Sequence, residues 1–235
     1  MAQKKLQRFA DIKTFSNVLE YPQEMQGNWH SFFKNENSIV LELACGKGEY
    51  TVELAKLWQN QNYIGVDVKG NRLWKGAADA LHLNLQNAAF LRTQIGLINS
   101  YFGKDEVAEI WITFPDPQLR ISKQKKRLTH PRFLFLYQQF LSPDGCVHLK
   151  TDSPALYLFT KKVIDVYNLT LQHDIDDVYA GKNIMPELQI KTHYEKLDIA
   201  QSGRIFYLCF CLNNDVSVDK EEELKQWEYE KADGR

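Results

Sequence analysis

An aspartate held between two prolines is well suited to stabilising charge during a reaction. Asp116 lies between Pro115 and Pro117, directly after the apolar run of residues 110–114. A proline fixes its own φ and restricts the residue before it, so this carboxylate is expected to be held stiffly where the run ends. A fixed carboxylate can stabilise positive charge that develops in a transition state. The alternative interpretation is a proline-rich turn capped by an aspartate.

Basic residues follow this turn closely. Four of the five residues from 123 to 127 are basic, and Arg120 and Arg132 flank the run. Lys and Arg bind the phosphates of nucleic acids, so a basic run beside an active site predicts a phosphate clamp. In isolation such a run is more often a solvated face. The formal net charge of the chain is −1, so a polyanion would have to be held by this local patch.

A short loop of small residues provides a second candidate site. Gly46 and Gly48 allow the backbone to turn sharply and to approach a ligand closely, and the N-terminus of a following helix favours polar ligand atoms. Glu42 precedes this loop, and Asp67 ends the next apolar run roughly twenty residues after it, where an acid can accept hydrogen bonds from ribose hydroxyls. The spacing is not G-x-G-x-x-G, which argues against a dinucleotide. A tight turn without a ligand, with Glu42 as a capping or surface carboxylate, is the other interpretation.

Strand-like and helical patterns alternate along the chain and must position these residues. Helical patterns cover residues 50–58, 71–85, 131–141 and 154–167, and the strand-like runs are residues 38–43, 63–68, 88–93, 109–113, 145–150, 169–175 and 205–212. This alternation predicts an α/β fold with a seven-stranded, mostly parallel sheet and helices on both faces. The last two runs have no helical pattern between them and could form a C-terminal antiparallel hairpin. Ligands of open α/β sheets bind at the carboxyl ends of the strands, where Glu42, Asp67 and Asp116 are expected to meet.

We expect a single domain over residues 1–235. Residues 1–35 form an N-terminal helical or flexible arm, and residues 213–235 form a charged, solvated helical tail. The four cysteines contain no C-x-x-C pair, which predicts reduced thiols and no zinc site: Cys45, Cys146, Cys209 and Cys211. No apolar run approaches ~18 residues and no signal core is present, which predicts a cytoplasmic protein without a membrane segment.

Four motifs in the same order resemble those of the tRNA (guanine-N7-)-methyltransferase family. The loop after Glu42 resembles motif I of class I S-adenosylmethionine-dependent methyltransferases. The F-P-D-P segment with its basic run and Arg127-Leu128 resembles the family signature. Residues 149–152 (L-K-T-D) resemble the family's strand-five motif, and residues 192–195 (T-H-Y-E), followed by Gly203, resemble its late T-x-x-E motif. The resemblance extends from about residue 38 to residue 210.

The resemblance implies a Rossmann-like class I methyltransferase that uses S-adenosyl-L-methionine to methylate N7 of a guanine in the variable loop of tRNA (position 46). The expected cofactor-binding residues, including the two loop glycines, are Glu42, Gly46, Gly48, Asp67, Gln94 and Asp116. The implied tRNA-contacting residues are Arg120, Asp152, Thr192, His193, Tyr194 and Glu195. The sequence departs from the family pattern at Ala44, Gln94 and Gln118, where the family usually has Gly, Asp and Trp. No metal is expected, and the protein would be a monomer or a homodimer.

The chemistry of guanine N7 sets simple requirements. N7 carries a lone pair and no proton, so attack on a methyl group needs alignment of the reacting atoms and no general base. The product ring is cationic, and Asp116 is the first candidate to stabilise it. Asp152 and Glu195 are candidates for holding the Watson–Crick edge of the guanine. His193 and Tyr194 could stack on a flipped base, although ordinary packing is the simpler interpretation.

Three alternatives remain open at the level of sequence. A class I methyltransferase with a small-molecule or protein substrate would keep Glu42 and Asp67 but leave the basic run unexplained. A non-catalytic RNA-binding relative, such as a chaperone or assembly factor, would explain the departures at Ala44, Gln94 and Gln118. An NAD-dependent dehydrogenase is disfavoured by the spacing of the glycine loop.

Overall fold

The computed structural model describes residues 2–193, 195–197, 202–217 and 219–233. The strands are β1 (Val18–Glu20), β2 (Ser38–Leu43), β3 (Gln61–Asp67), β4 (Ala88–Arg92), β5 (Val107–Thr113), β6 (Leu141–Thr151), β7 (Thr170–Ile175) and β8 (Phe206–Cys211). The α-helices are α1 (Ala2–Asp11), α2 (Trp29–Phe33), α3 (Glu49–Leu57), α4 (Gly70–His82), α5 (Pro131–Tyr137), α6 (Pro154–Val166), α7 (Pro186–Gln189) and α8 (Glu221–Asp233). Short 3-10 helices connect several of these elements, including one at Ile121–Lys126 in the basic run.

The strands form one mostly parallel sheet in the order β1-β4-β3-β2-β5-β6-β8-β7. Strands β1 to β6 pair in parallel, whereas β8 is antiparallel to both β6 and β7. The predicted α/β sheet with antiparallel C-terminal strands is therefore confirmed, with eight strands among the described residues instead of seven. The additional strand is β1, which pairs with residues 90–92. It has three half-buried residues, too few to show an alternating pattern.

The sheet is covered on both faces, as its apolar composition requires. On one face, the buried side chains of Trp29 and Phe102 stack with ring centroids 5.2 Å apart. On the other face, Tyr50 of α3 and Phe90 of β4 are fully buried in a second apolar cluster. The four cysteines are buried, free thiols. Within the described ranges, no group of three or more His, Cys, Asp or Glu side chains could hold a metal ion. None of the helices in these ranges combines the length and the apolar character that a membrane span requires.

The largest differences from the predicted ranges are at the end of α5 and the start of β6, and both have local reasons. Helix α5 ends at Tyr137 instead of residue 141, because β6 begins immediately afterwards at Leu141. The first residues of β6 include Pro143 and Asp144, which are typical of turns and hid this part of the strand. The C-terminal tail is helical as predicted, but α8 is not solvated on all sides, since Leu224 is fully buried.

Candidate active site

A cavity of about 990 Å³ lies at the carboxyl ends of β2, β3, β5 and β6. This is the edge of the sheet at which the sequence predicted a ligand site. Six of the predicted site residues line the cavity: Glu42, Gly46, Asp67, Asp116, Asp152 and Thr192. The parallel pairing of β2, β3, β5 and β6 brings the first five together, although they are far apart in the sequence, and Thr192 comes from the segment before β8.

The loop between β2 and α3 has an unusual backbone. Ala44, Gly46 and Gly48 all have left-handed φ angles, of 57°, 58° and 68°. Gly46 lines the cavity, whereas Gly48 is not among the lining residues. A Cβ on Gly48 would lie 2.4 Å from the Phe90 ring, so this glycine allows α3 to approach the sheet. Gly48 therefore shapes the loop through packing.

Glu42 is buried in the cavity wall, where its hydrogen bonds connect β2 to β5 and to α3. One of its carboxylate oxygens accepts a hydrogen bond from the backbone N–H of Thr51 at 2.8 Å, and the other accepts from the hydroxyl of Thr113 at 2.7 Å. Burial raises the pKa of Glu42 to about 7, and the hydrogen bonds from the two threonines oppose that shift. The sequence did not single out Thr51 or Thr113, because each is an ordinary residue until the fold places it beside Glu42.

Asp67 fixes the glycine loop from the end of β3. Its two carboxylate oxygens accept backbone hydrogen bonds from Gly46 at 3.0 Å and from Lys69 at 2.8 Å. A carboxylate has about four acceptor positions, so these bonds leave capacity for a pair of ligand hydroxyls. Three cations that belong to none of the predicted site motifs also line the cavity: Lys47, Lys69 and Arg72.

Asp116 is exposed in the turn after β5. The backbone N–H of Gln118 donates to its Oδ1 at 3.0 Å. Phe114 and Gln118, on either side of the Pro-Asp-Pro sequence, have left-handed φ angles of 46° and 47°. Phe114 is also anchored through its N–H, which donates to the carbonyl of Lys150 at 2.8 Å. The turn thus presents Asp116 to the cavity on a constrained backbone.

A buried ion pair holds the T-x-x-E segment beside the cavity. The ammonium of Lys150 donates to Glu195 at 2.9 Å and to the carbonyls of Leu188 and Ile190 at 2.9 Å and 2.8 Å. The other oxygen of Glu195 accepts from the hydroxyl of Tyr179. Both oxygens of Glu195 are therefore engaged within the chain, which favours a structural role over the predicted contact with a base.

The neighbouring residues of this segment are tied to α3. The backbone N–H of His193 donates to Glu49 at 2.7 Å, and the hydroxyl of Tyr50 donates to the carbonyl of Glu187 at 2.7 Å. Thr192 is buried and lines the cavity. Tyr194 lies outside the described residues. These contacts close one side of the cavity with a segment that is remote in sequence.

The remaining predicted residues lie around the cavity and do not line it. Gln94 and Arg120 are exposed, at the end of β4 and in the loop after Asp116. In the basic run, the side chains of Lys123, Lys125 and Lys126 are exposed, whereas that of Arg127 is 1% exposed. The run is therefore divided between an exposed cationic surface and one buried guanidinium.

Comparisons with known proteins agree with this architecture. Residues 36–208 match the family Methyltransf_4, described as "Putative methyltransferase". The chain is 42% identical to a tRNA (guanine-N(7)-)-methyltransferase of Bacteroides thetaiotaomicron, covering 90% of this chain and 87% of the relative. It is 43% identical to the protein of the same name from Porphyromonas gingivalis, covering 91% and 92%.

Solved structures of low sequence identity share the fold. The 16S rRNA methyltransferase KamB superposes with a TM-score of 0.62 at 13% identity, covering 83% of this chain and 98% of that chain. The aminoglycoside resistance methyltransferase NpmB1 has a TM-score of 0.56 at 15% identity, covering 81% and 94%. These similarities concern the α/β fold alone.

Proposed function

The chain belongs to the tRNA (guanine-N7-)-methyltransferase family, and from this premise we propose that it transfers a methyl group from S-adenosyl-L-methionine to N7 of a guanine in tRNA. The observation that carries the proposal is the convergence of Glu42, Asp67 and Asp116 on one cavity at the carboxyl edge of the sheet. We place the target guanine in the variable loop, at position 46, and the activity in the cytoplasm. The family resemblance implies the position of the guanine, and the compartment follows the sequence-based expectation of a cytoplasmic protein.

The cavity has the chemistry that S-adenosyl-L-methionine requires. Asp67 retains acceptor capacity for the ribose hydroxyls, and Gly46 lets the backbone approach the methionine portion. Lys47 and the carboxylates of Glu42 and Asp116 provide both signs of charge for a ligand with ammonium, carboxylate and sulfonium groups. When bound, this cofactor supplies an electrophilic methyl group. Gln94 lies outside the cavity lining, so its predicted contact with the cofactor would require the adenine to extend beyond the lining residues.

The protein residues perform alignment and charge stabilisation. Guanine N7 needs no general base, so the turn after β5 and the segment around Thr192 act by positioning the base. Asp116 is held at the cavity by its turn, where a carboxylate stabilises the positive charge that develops on the purine ring. Asp152 lines the same cavity and can accept hydrogen bonds from N1–H and the 2-amino group of guanine.

The tRNA backbone is assigned to the exposed part of the basic run. Arg120, Lys123 and Lys126 are exposed and follow the turn that carries Asp116. Phosphate contacts by such side chains orient a nucleic acid without reading its sequence. His193 is exposed next to Thr192, and it is proposed to contact the target nucleotide. Glu195 supports this region through Lys150 rather than by touching the base.

The direct test is methyl transfer from labelled S-adenosyl-L-methionine to unmodified tRNA, followed by mapping of the labelled base. The expected product is 7-methylguanine in the variable loop. A matched tRNA with 7-deazaguanine at that position lacks the nucleophilic nitrogen and should accept no label there. Label at another base would contradict the regiochemistry. Cofactor binding without transfer to any tRNA would favour another substrate, and absence of cofactor binding would favour a non-catalytic RNA-binding protein.

A further inference from the structure

The acidic C-terminal helix is anchored to the basic segment that follows Asp116. Leu224 of α8 is fully buried, and Trp227 is half-buried and packs against the apolar core that contains Trp29 and Phe102. Glu221, at the start of the helix, pairs with Lys125. Helix α8 is therefore part of the folded domain and lies where it can influence the site.

Arg127 connects α8 to the turn that carries Asp116. Its Nε donates to the carbonyl of Pro117 at 3.1 Å, and its Nη2 donates to the carbonyl of Gln118 at 3.1 Å. Its Nη1 donates to Oε1 of Glu228 at 2.5 Å. The guanidinium lies 4.4 Å from the centroid of the Phe159 ring. Because the guanidinium is planar and its donors have fixed directions, the carboxylate on one side determines where the donors on the other side point.

The turn requires such support because two of its residues adopt an unfavourable backbone conformation. Phe114 and Gln118 have φ angles of 46° and 47°, a region that side-chain-bearing residues rarely adopt. Conformations of this kind are strained and persist only where the surroundings over-determine them. Arg127 binds the two carbonyls that directly follow Asp116, and so restrains the second half of the turn.

We propose that Glu228 is a positioning residue for Asp116, acting through Arg127. The proposal rests on the proposed function and extends it to the C-terminal helix. The side chains of Arg127 and Glu228 are only 1% and 13% exposed, so water cannot readily replace their interaction. Without the carboxylate, the buried guanidinium loses its counter-charge, and the carbonyls of Pro117 and Gln118 lose donors held in a fixed direction. Asp116 then departs from the position that stabilises charge on the purine.

The test compares Glu228→Gln with the matched control Glu222→Gln. The control removes one negative charge from the same helix, at a side chain that is 85% exposed. Hydrogen–deuterium exchange of residues 114–120 and steady-state turnover on tRNA are measured for both variants. For Glu228→Gln we expect faster exchange confined to the turn and a fall in kcat of about tenfold, with less than about a twofold change in KM for tRNA. Glu222→Gln should match the wild type in both measurements.

Two further variants separate positioning from general stability. Glu228→Asp keeps the charge and should recover part of the lost turnover. Arg127→Lys keeps a cation but loses the planar fork, and should reproduce the local exchange and the loss of kcat. Unchanged exchange at residues 114–120, or uniformly faster exchange throughout the chain, would overturn the proposal, as would faster local exchange with normal turnover. If the wild type does not methylate tRNA, the proposed function fails, while the exchange measurement still decides whether Glu228 holds the turn.

Discussion

The ammonium of Lys150 lies 2.9 Å from the carboxylate of Glu195, and the two side chains are 0% and 5% exposed. This pair joins β6 to the segment before β8 across the side of the cavity. Lys150 uses its three donors on Glu195 and on the carbonyls of Leu188 and Ile190, so that no buried proton is left unpaired. The T-x-x-E segment thus owes its position to a residue in the interior of the sheet.

Breaking this pair should destabilise the protein. Glu195→Gln leaves a buried ammonium without its counter-charge, and we expect a loss of about 3 kcal/mol in the free energy of unfolding. In the double variant with Lys150→Met the isolated charge is removed, so the total loss should be smaller than the sum of the single losses by at least about 1 kcal/mol. Urea unfolding of the wild type, the single variants Glu195→Gln and Lys150→Met, and the double variant measures this coupling. If Glu195→Gln instead raised KM for tRNA with unchanged stability, a direct contact of Glu195 with the base would be favoured.

Glu42 should make stability fall as pH rises. Burial raises its pKa to about 7 from an ordinary value of 4.5, so the folded state binds the proton more tightly than the unfolded state. The stabilising contribution is complete below about pH 4.5, declines between the two pKa values, and is lost above about pH 7; its full size is about 3 kcal/mol.

The check is the difference in Tm between the wild type and Glu42→Gln, followed from about pH 5 to about pH 8 without ligand. Other titrating groups are common to both proteins and largely cancel. As pH rises over this range, the Tm of the wild type should fall relative to that of Glu42→Gln. A difference in Tm that stays constant with pH would show that Glu42 does not titrate in this interval.

The glycine loop provides a matched pair of substitutions. Gly48→Ala combines a left-handed φ of 68° with a Cβ 2.4 Å from the Phe90 ring, and should cost about 3 kcal/mol. Ala44→Gly relieves a left-handed φ of 57° and should gain about 0.5 kcal/mol in the free energy of unfolding after the entropy of the unfolded chain is included. Thermal unfolding compares the two. Equal effects at both positions would contradict the assignment of Gly48 to packing.

The sequence predicted the site to the extent that the relevant signals were local. Apolar runs located seven of the eight strands, and Asp67 and Asp116 were recognisable because each ends or follows such a run. The buried roles of Lys150 and Arg127 could not be predicted. Their partners, Glu195 and Glu228, lie 45 and 101 residues away, and a cation in a strand or a basic run looks solvated until the fold buries it. The same dependence on distant partners explains why α8 was expected to be a solvated tail.

Replacing Asp116 by Asn should separate charge stabilisation from binding. The amide has nearly the same shape and can still accept from the N–H of Gln118, so the turn should be retained. It carries no charge, and a fixed charge that acts mainly in the transition state is expected to contribute about 10²-fold to kcat. The affinity for S-adenosyl-L-methionine, measured by calorimetry, should change much less than kcat.

The control is Asp144→Asn, the same substitution at an exposed position near the start of β6, at the opposite edge of the sheet from the cavity. It should leave both quantities unchanged. Normal turnover in Asp116→Asn would exclude this carboxylate from stabilising the cationic purine, and Asp152 would then be the carboxylate in the cavity to substitute next.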